Sequence, residues 1–364
     1  MPFTFDEDQR ALADGVESLL SDKATGTYAR AVIEGEADWL DLWEMVAELG
    51  IPGMAIPEER GGLGLGPVEL VAVCERVGRH LAPGPLVATA GGFVSTAVAA
   101  GGEAAGSLQA IAADGHTATL VYLDPRSVSA SLALSDGRLS ADAVLVPDAE
   151  RVELFGFVVE DGAGGYSLAV LPAERAEIVP VEGFDATRPL ALVSVGAEEA
   201  AVSALPRGLG DLSVAFTTTA AELVGLAARM LELSVKHAQE REQFGSPIGA
   251  FQGVKHRLAD ALLELERARS LTYRAAVLST DASDADLDAE LRAARMAKAA
   301  ASDAATEVGR AAVQVHGGVG ITVEHDVSLF YLRARQASMQ LGGRDAHYAA
   351  LVDYAALAAR GATG

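Results

Sequence analysis

The sequence predicts an α+β protein made of three successive regions, in the order helical, β and helical. Two observations lead to this prediction. Apolar residues recur at three- and four-residue spacing in both end regions, whereas short β-branched runs separated by turn residues fill the middle. We place an N-terminal α-helical domain at residues 1–112, a small β-domain at 113–206 and a C-terminal α-helical bundle at 207–364.

The N-terminal region contains helical patterns that pass through Val16, Trp43 and Cys74. Cys74 is the only cysteine of the sequence, so an internal disulfide is excluded, and its apolar neighbours predict that it fills the core. Glycines are frequent at residues 61–66. This loop either brings backbone close to a ligand or simply connects two helices.

The middle region predicts a small β-domain. Its runs are short and rich in β-branched residues, and they occupy residues 119–123, 143–146, 152–159, 166–171 and 190–195. Prolines and glycines at residues 206–210 then lead back into helices. These helices continue almost to the end of the chain and include 286–315 and 326–339.

Residues 241–252 form a corner between two long helical patterns. Gly245 suits the left-handed position past a helix end, and Pro247 suits the first turn of the next helix. Spacing alone leaves two interpretations of this corner. Either it binds a cofactor, or Arg241 caps the preceding helix end while Phe244 belongs to the core.

The charge balance argues against several classes of function. With 28 basic and 51 acidic residues the net charge is −23, so we expect no nucleic-acid partner, because its phosphate backbone would be repelled. We expect no metal site either, since the seven histidines have no paired ligand spacing. The serines lie in no nucleophile-elbow pattern, so hydrolase chemistry lacks support.

Membrane insertion and export are not expected. Residues 86–102 form the longest weakly polar stretch, but glycines break it. Acidic residues at positions 6–8 stand where a secretory signal would need basic ones. The sequence therefore predicts a cytoplasmic protein that does not enter a membrane.

The order of residues at the corner resembles the acyl-CoA dehydrogenase family. Its members carry Arg-x-x-Phe-Gly followed by Phe-Gln, a pattern that is matched by Arg241, Phe244, Gly245, Phe251 and Gln252. Further similarities at residues 5–10, 49–64 and 314–320 extend along the whole chain. The resemblance implies an acyl-CoA dehydrogenase-like fold, in which the three regions have the same order.

The resemblance also implies a function. Family members use FAD to desaturate an acyl-CoA thioester between C2 and C3, with an electron-transfer acceptor as partner. Their corner and a Gln-x-x-Gly-Gly segment reach across a subunit interface to the FAD of a neighbouring subunit. By this resemblance, the residues that would contact the flavin are Arg241, Gln243, Phe244, Gln252, Gln314, Gly317 and Gly318.

The base that this chemistry needs is missing from its expected places. Removal of the C2 proton requires a positioned base, and family members supply a carboxylate at one of two positions. By comparison with the family, Leu341 and Ala215 occupy these positions, and neither can accept a proton. Glu222, two helical turns beyond Ala215, is either a displaced base or a polar residue at a helix surface, so the catalytic residue stays unassigned.

The motifs with which a family member holds its own flavin are also absent. Residues 123–127 and 143–147 stand in place of a Thr-Glu-Pro loop and a Trp-Ile-Thr strand, and both tryptophans, Trp39 and Trp43, lie in the first region. A chain that keeps only the residues meant for its neighbour's FAD is similar to the base-lacking subunit of split, heterotetrameric acyl-CoA dehydrogenases. Those enzymes act in the catabolism of steroids and other bulky acyl groups.

Two other functions remain open from the sequence. The chain is alternatively a self-sufficient homotetrameric acyl-CoA dehydrogenase with a displaced base, or a non-catalytic homologue that acts as a binding or scaffold protein. The roles of three further residues are open as well. His316 either touches the flavin or makes a structural hydrogen bond, and Arg333 and Arg335 are either surface or interface charges or phosphate contacts.

Overall fold

A computed structural model describes residues 4–124, 131–161, 164–280 and 287–361, with side chains as far as residue 356. It confirms the α+β class and the order helical, β, helical. The change from helix to strand falls between Asp114 and Ala118. The return to helix falls between Leu205 and Ser213.

The first region consists of helices that bury their apolar faces against each other. They are α1 (Glu7–Lys23), α2 (Gly26–Glu34), α3 (Leu40–Glu48), α4 (Pro67–Arg79), a π-helical segment (Val87–Val94) that continues as α5 (Ser95–Ala100), and α6 (Leu108–Asp114). A capping box begins α1, because the Asp6 carboxylate accepts from the Gln9 N–H at 2.8 Å and the Gln9 amide oxygen accepts from the Asp6 N–H at 3.2 Å. Cys74 on α4 is buried, which confirms that it fills the core.

The glycine-rich loop at residues 61–66 folds back on the preceding turn. A Cβ on Gly62 would meet the Ile56 carbonyl oxygen at 2.1 Å, and the Gly64 N–H donates to that same oxygen at 2.9 Å. Glycine at position 62 is therefore required by the chain's own packing. This geometry favours the interpretation of the loop as a connection between helices.

The middle region is a sandwich of two four-stranded sheets. Its strands are β1 (Ala118–Tyr122), β2 (Ser131–Ser135), β3 (Arg138–Pro147), β4 (Leu154–Glu160), β5 (Tyr166–Pro172), β6 (Glu177–Val181), β7 (Leu190–Glu199) and β8 (Ala201–Leu205). One sheet has the order β1-β4-β5-β8, with β1 and β4 parallel, and the other has the antiparallel order β2-β3-β7-β6. Phe157 from one sheet and Val193 from the other share one buried core.

The sequence predicts β1, β3, β4, β5 and β7 but misses the other three strands. Pro180 lies within β6, whose residues are mostly exposed, and β8 carries two alanines, so neither has the composition of a typical strand. Of residues 123–127, which stand in place of the family's Thr-Glu-Pro loop, residues 125–127 lie outside the described residues.

The last region is a bundle of long helices: α7 (Ser213–Glu240), α8 (Gln252–Thr280), α9 (Leu287–His316), α10 (Asp326–Ala337) and α11 (Arg344–Gly361). Helix α7 touches α4 of the first region backbone to backbone. A Cβ on Gly225 would meet the Glu75 carbonyl oxygen at 1.9 Å, and one on Gly78 would meet that of Glu222 at 2.1 Å. Because only glycine fits at either contact, the first and last regions are held closely together.

One described helix, Gly208–Glu240, is long and apolar enough to cross a bilayer, and 89% of its apolar window is buried inside the fold. Its apolar composition is therefore explained by packing against the other helices. The weakly polar segment at residues 86–102 contains the shorter apolar helix Val87–Ala100.

Candidate functional site

The corner between α7 and α8 is a small β-hairpin. Helix α7 ends at Glu240, after which β9 (Glu242–Gln243) pairs with β10 (Ser246–Pro247). The Ile248 N–H donates to the Arg241 carbonyl at 2.8 Å and closes the hairpin. Helix α8 begins only at Gln252.

The hairpin corrects two predictions made from helical spacing. Gly245 does not end a helix and Pro247 does not begin one, since both belong to the hairpin. The reason is the two-residue turn, in which φ is 55° at Phe244 and 82° at Gly245. Two successive positive φ values are typical of a type I′ turn, whose twist suits a hairpin.

Phe244 projects from the tip of this hairpin into solvent. Its side chain is 93% exposed, so its assignment to the core is wrong. Among the described residues its ring stacks with Phe251, edge to face at 6.2 Å between centroids, and Phe251 is itself 40% exposed. An aromatic residue at positive φ is strained, and exposed loop aromatics of this kind are typical of binding sites.

The Gln-x-x-Gly-Gly segment, within residues 314–320, spans the end of α9 at His316. Gln314 is exposed on the last turn, and Gly317 and Gly318 lie beyond it, with no other described group within 4 Å of a Cβ placed on either. Gly317 has a positive φ of 66°, whereas Gly318 does not have a positive φ. The chain's own fold therefore leaves space at Gly318, which a group from outside the chain can occupy.

A stack of histidines places the two motifs side by side. The His316 ring lies 4.4 Å from that of His237 and 4.7 Å from that of His325. His237 comes one turn before Arg241, so the hairpin and the end of α9 lie on the same part of the surface. His316 Nδ1 donates to the Ala312 carbonyl at 2.8 Å, which supports its interpretation as a structural hydrogen-bonder.

We call the residues that the resemblance assigns to a neighbour's flavin the donor face. Every one of them is exposed: Arg241, Gln243, Phe244, Gln252, Gln314, Gly317 and Gly318. Arg241 has no ion-pair partner among the described residues. Side chains placed in this way are available to a group that lies outside the chain.

A cavity of about 650 Å³ lies between the β-domain, the π-helical segment and α10. Its wall includes Leu341, which occupies the expected position of the base, and the next residue, Gly342. Their φ values are 54° and 95°. Because leucine has no acidic group, the expected position of the base carries no acid. Ala215, the other family position, is fully buried in the core and does not line this cavity. Neither position supplies a carboxylate.

The residues that replace the family's flavin-holding motifs line the same cavity. From the described part of those two segments, the wall contains Leu123, Asp124, Leu145, Val146 and Pro147. The missing base and the missing flavin contacts therefore meet at one place. Only the folded chain reveals this coincidence.

Most polar groups on the cavity wall are already hydrogen-bonded within the chain. The Gln336 amide donates to the Arg188 carbonyl at 2.7 Å, and the Thr219 hydroxyl donates to the Ala215 carbonyl at 2.8 Å. A flavin ring needs several partners along its polar edge, so this wall does not fit one. The donor face, with its exposed guanidinium, amides and open glycines, does fit part of a dinucleotide.

Glu222 is fully buried, so its interpretation as a polar residue at a helix surface is wrong. Its carboxylate accepts from the guanidinium of Arg188 at 3.3 Å and from that of Arg333 at 3.3 Å. Glu222 does not line the cavity. Held between two cations and away from the cavity, it lacks the geometry of a displaced base.

Glu222 belongs to an ion cluster that joins all three regions. Arg188 Nε donates to Asp148 at 2.6 Å, and Arg333 binds Asp185 and donates to the Ala82 carbonyl at 3.3 Å. Arg333 is 1% exposed, so its assignment to the surface is wrong, whereas Arg335 is exposed. Sequence analysis missed this cluster because its members lie far apart in the chain and share no motif.

A second buried basic group lies near the cavity wall. Lys298 Nζ donates to the Ser338 carbonyl at 3.0 Å, and a Cβ on Gly342 would lie 3.3 Å from His347 Nε2. Burial lowers the pKa of Lys298 to about 7. Burial, with the charges of Lys298 and Arg295, lowers the pKa of His347 to about 2. His347 is therefore neutral at physiological pH.

Comparison with known proteins identifies relatives along the whole chain. The family "Acyl-CoA dehydrogenase, N-terminal domain" matches residues 6–106, and "Acyl-CoA dehydrogenase, C-terminal domain" matches residues 210–352. Acyl-CoA dehydrogenase IpdE2 of Mycobacterium tuberculosis is 30% identical over 342 residues, which are 92% of this chain and 93% of that protein.

Two further relatives are informative. Acyl-CoA dehydrogenase FadE34 of Mycobacterium tuberculosis is 32% identical over 360 residues, which are 94% of this chain but 47% of that protein. A solved structure described as a variant of the Tcur3481-Tcur3483 steroid ACAD is 27% identical, with a TM-score of 0.84 over 98% of this chain and 99% of that one. Because relatives match this chain over nearly its whole length, the protein belongs to the acyl-CoA dehydrogenase family.

Proposed function

We propose that this chain is the base-lacking subunit of a heterotetrameric acyl-CoA dehydrogenase. Its donor face binds the FAD held by a homologous partner subunit, which also supplies the catalytic glutamate. The observation that carries the proposal is the outward projection of Phe244, 93% exposed at a positive φ. A strained, exposed aromatic tip is costly in an isolated chain and is explained by a contact with another molecule.

The charge pattern supports the same arrangement. The protein as a whole carries a net charge of −23, which repels an anionic cofactor. Arg241 offers a guanidinium without an ion-pair partner in the described chain, and such a group suits a pyrophosphate. Gln252 and Gln314 add exposed amides that can donate to phosphate or accept from adenine.

The lining of the cavity supports a division of the chemistry between this chain and its partner subunit. When bound, FAD accepts the hydride from C3 and passes the electrons to an electron-transfer acceptor. The proton at C2 needs a base, and the cavity of this chain has Leu341 and Gly342 at the place where that base is expected. We therefore assign proton transfer to the partner, while Arg241, Phe244 and Gln314 of this chain hold and orient the cofactor.

The relatives support a bulky substrate and a two-part enzyme. The Tcur3481-Tcur3483 structure is described as a steroid ACAD, so we propose a steroid-derived or similarly bulky acyl-CoA as substrate. This chain spans about half of FadE34, whose remainder is long enough for a second subunit of this size. We place the complex in the cytoplasm, as the sequence predicts.

Co-expression with the homologous partner tests the proposal. The chain purified alone is expected to be colourless, and the complex is expected to be a yellow heterotetramer with one FAD for each pair of unlike subunits. Native mass and the visible absorption spectrum measure both properties. A chain that alone holds one FAD per subunit and turns over acyl-CoA would contradict the proposal and favour the homotetrameric alternative.

A further inference from the structure

Two separate segments carry the donor face, and a stack of three imidazole rings joins them. His237 lies on α7, one turn before Arg241, and His316 lies at the end of α9, within the Gln-x-x-Gly-Gly segment. Their rings are stacked, with 4.4 Å between centroids and 28° between planes. The ring of His325, the residue before α10, lies 4.7 Å from that of His316. The stack therefore connects the ends of α7 and α9 with the start of α10.

The backbone on both sides of the stack is in direct contact with these residues. The Arg241 N–H donates to the His237 carbonyl at 2.9 Å, so a shift of His237 also moves Arg241. On the other side, a Cβ on Gly320 would meet the Cβ of His316 at 2.9 Å, so the glycine segment folds directly against His316. A displacement within the stack would therefore change the separation between Arg241 and the glycine segment.

Hydrogen bonds fix the proton positions on two of the rings. A backbone carbonyl can only accept, so His316 carries a proton on Nδ1, which donates to the Ala312 carbonyl at 2.8 Å. A backbone N–H can only donate, so Nδ1 of His325 has no proton where it accepts from the Val327 N–H at 3.2 Å. A charged imidazole has a proton on both nitrogens. Charging His325 therefore removes its cap from α10.

No negative charge is paired with the stack. Among the residues that the structure describes, no carboxylate oxygen lies within 4.0 Å of a nitrogen of the three rings. Arg241 adds a positive charge beside His237. The neighbouring acidic residues have other partners: Glu240 with Lys236, Asp326 with Arg30 and Glu324 with Thr322. Two charged rings in this stack would therefore repel each other without a paired carboxylate to offset the repulsion.

Protonation has two opposing effects on the binding of an anionic cofactor. An imidazolium attracts a pyrophosphate, whereas repulsion between charged rings separates the two segments of the donor face. Distance decides between them, because the rings lie 4.4 and 4.7 Å apart and His316 is buried, while an anion from outside contacts the exposed surface. Burial lowers the pKa of His316, and burial with the charges of His325 and Arg241 lowers the pKa of His237. Both directions agree with a stack that is uncharged when the donor face is intact.

We propose that the three stacked histidines are positioning residues, which hold the donor face in its FAD-binding arrangement only while at most one ring is charged. The co-expressed complex then retains FAD at neutral pH and releases it as the pH falls below about 6.5. This inference rests on the proposed function, since the FAD concerned is the one that the partner subunit holds. It adds a dependence on protons that the exposed residues of the donor face do not by themselves require.

The affinity of the co-expressed complex for FAD at two pH values tests the inference. Equilibrium dialysis against FAD gives the affinity at pH 7.5 and at pH 5.5, and native mass shows that the complex is intact at both. We expect the affinity to fall at least about tenfold between the two, and to recover when the complex is returned to pH 7.5. An affinity that stays constant or rises in acid would overturn the inference.

Variants of this chain separate the stack from titrating groups of the partner. His237→Phe keeps a ring in the stack but removes one titrating group, and His325→Asn keeps a side-chain acceptor for the cap of α10. The double variant has a single titrating ring left, so its affinity for FAD should fall less than about threefold. His116→Phe is the matched control, since His116 lies outside the stack, near Glu153, and this variant should lose affinity as the wild type does.

The outcomes separate this inference from the proposed function. If the complex is yellow at pH 7.5 and the double variant loses as much affinity in acid as the wild type, the inference is wrong and the proposed function stands. If the double variant does not assemble, His237→Phe alone gives the same comparison. If the complex holds no FAD at pH 7.5, the proposed function is wrong and the inference fails with it.

Discussion

The carboxylate of Glu222 and the guanidinium of Arg188 lie 3.3 Å apart and are excluded from solvent, although 34 positions separate them in the chain. Arg188 follows β6 in the β-domain, and Glu222 lies on α7 of the helical bundle. Their ion pair therefore fixes the β-domain against the bundle. It also places Arg188 in the wall of the cavity.

Glu222→Gln should destabilise the fold and have no direct effect on the reaction. The substitution removes the buried negative charge that pairs with Arg188 and Arg333. Loss of one partner of a buried ion pair typically lowers the free energy of unfolding by about 3 to 5 kcal/mol. Urea unfolding of the purified chain measures this loss. Glu240→Gln, on the exposed end of the same helix, is the control. Equal midpoints for the two variants would contradict the structural role of Glu222.

Arg241→Ala should lower the FAD content of the co-expressed complex. The loss of one charge-assisted contact to a phosphate is expected to weaken the cofactor at least about tenfold. Lys236→Ala serves as the control, because Lys236 is an exposed cation one turn earlier on α7. Flavin absorbance per complex, measured after gel filtration, gives the result. A fully flavinated Arg241→Ala complex with normal turnover would favour the scaffold alternative.

Phe244→Asn should have opposite effects on the chain and on the complex. Asparagine tolerates the positive φ at this position better than an aromatic residue, and it removes an exposed apolar ring. The chain alone is therefore expected to be more stable, by up to about 1 kcal/mol. The complex should lose FAD or partner affinity. Thermal unfolding of the chain and flavin content of the complex, measured in parallel, check the two signs.

The histidine stack should make the fold less stable in acid. Burial, with the charges of His325 and Arg241, lowers the pKa of His237, and burial also lowers the pKa of His316. Because the folded pKa lies below the unfolded value of about 6.5, this stability is present above pH 6.5 and is lost as the pH falls below it.

His237→Phe tests this pH dependence. It keeps an aromatic ring in the stack but removes one titrating group, so the variant should lose less stability than the wild type between about pH 7.5 and 5.5. Urea unfolding at both pH values gives the comparison. The buried Lys298 and His347 are present in both proteins and cancel in the difference. An identical loss in the two proteins would show that the stack does not titrate in this range.

Much of the fold could be predicted because its local signals are strong. Apolar spacing in α7 and α9 and β-branched runs in β4 and β5 determine their own elements, since the neighbours that matter are a few residues away. The weaker strands β6 and β8 could not be predicted in this way. Each is stabilised mainly by pairing with a distant strand, β6 with β7 and β8 with β5.

The candidate site, like the fold, could be predicted only in part. The residue order at the corner and at residues 314–320 points to the family without any coordinates. Helical spacing, however, gives the corner the wrong local structure, because a type I′ turn at Phe244 and Gly245 ends the helical period early. The exposure of Phe244 followed neither from its hydrophobicity nor from its position in the pattern.

The sequence by itself determined the fold class, the family and the absence of an acid at Leu341 and Ala215, because these depend on local period and residue identity. Tertiary structure alone decided that Glu222 and Arg333 are buried partners, and that Leu123, Val146 and Leu341 share one cavity. The physical reason is that burial and ion pairing depend on which distant segments meet. A local pattern carries no information about that meeting.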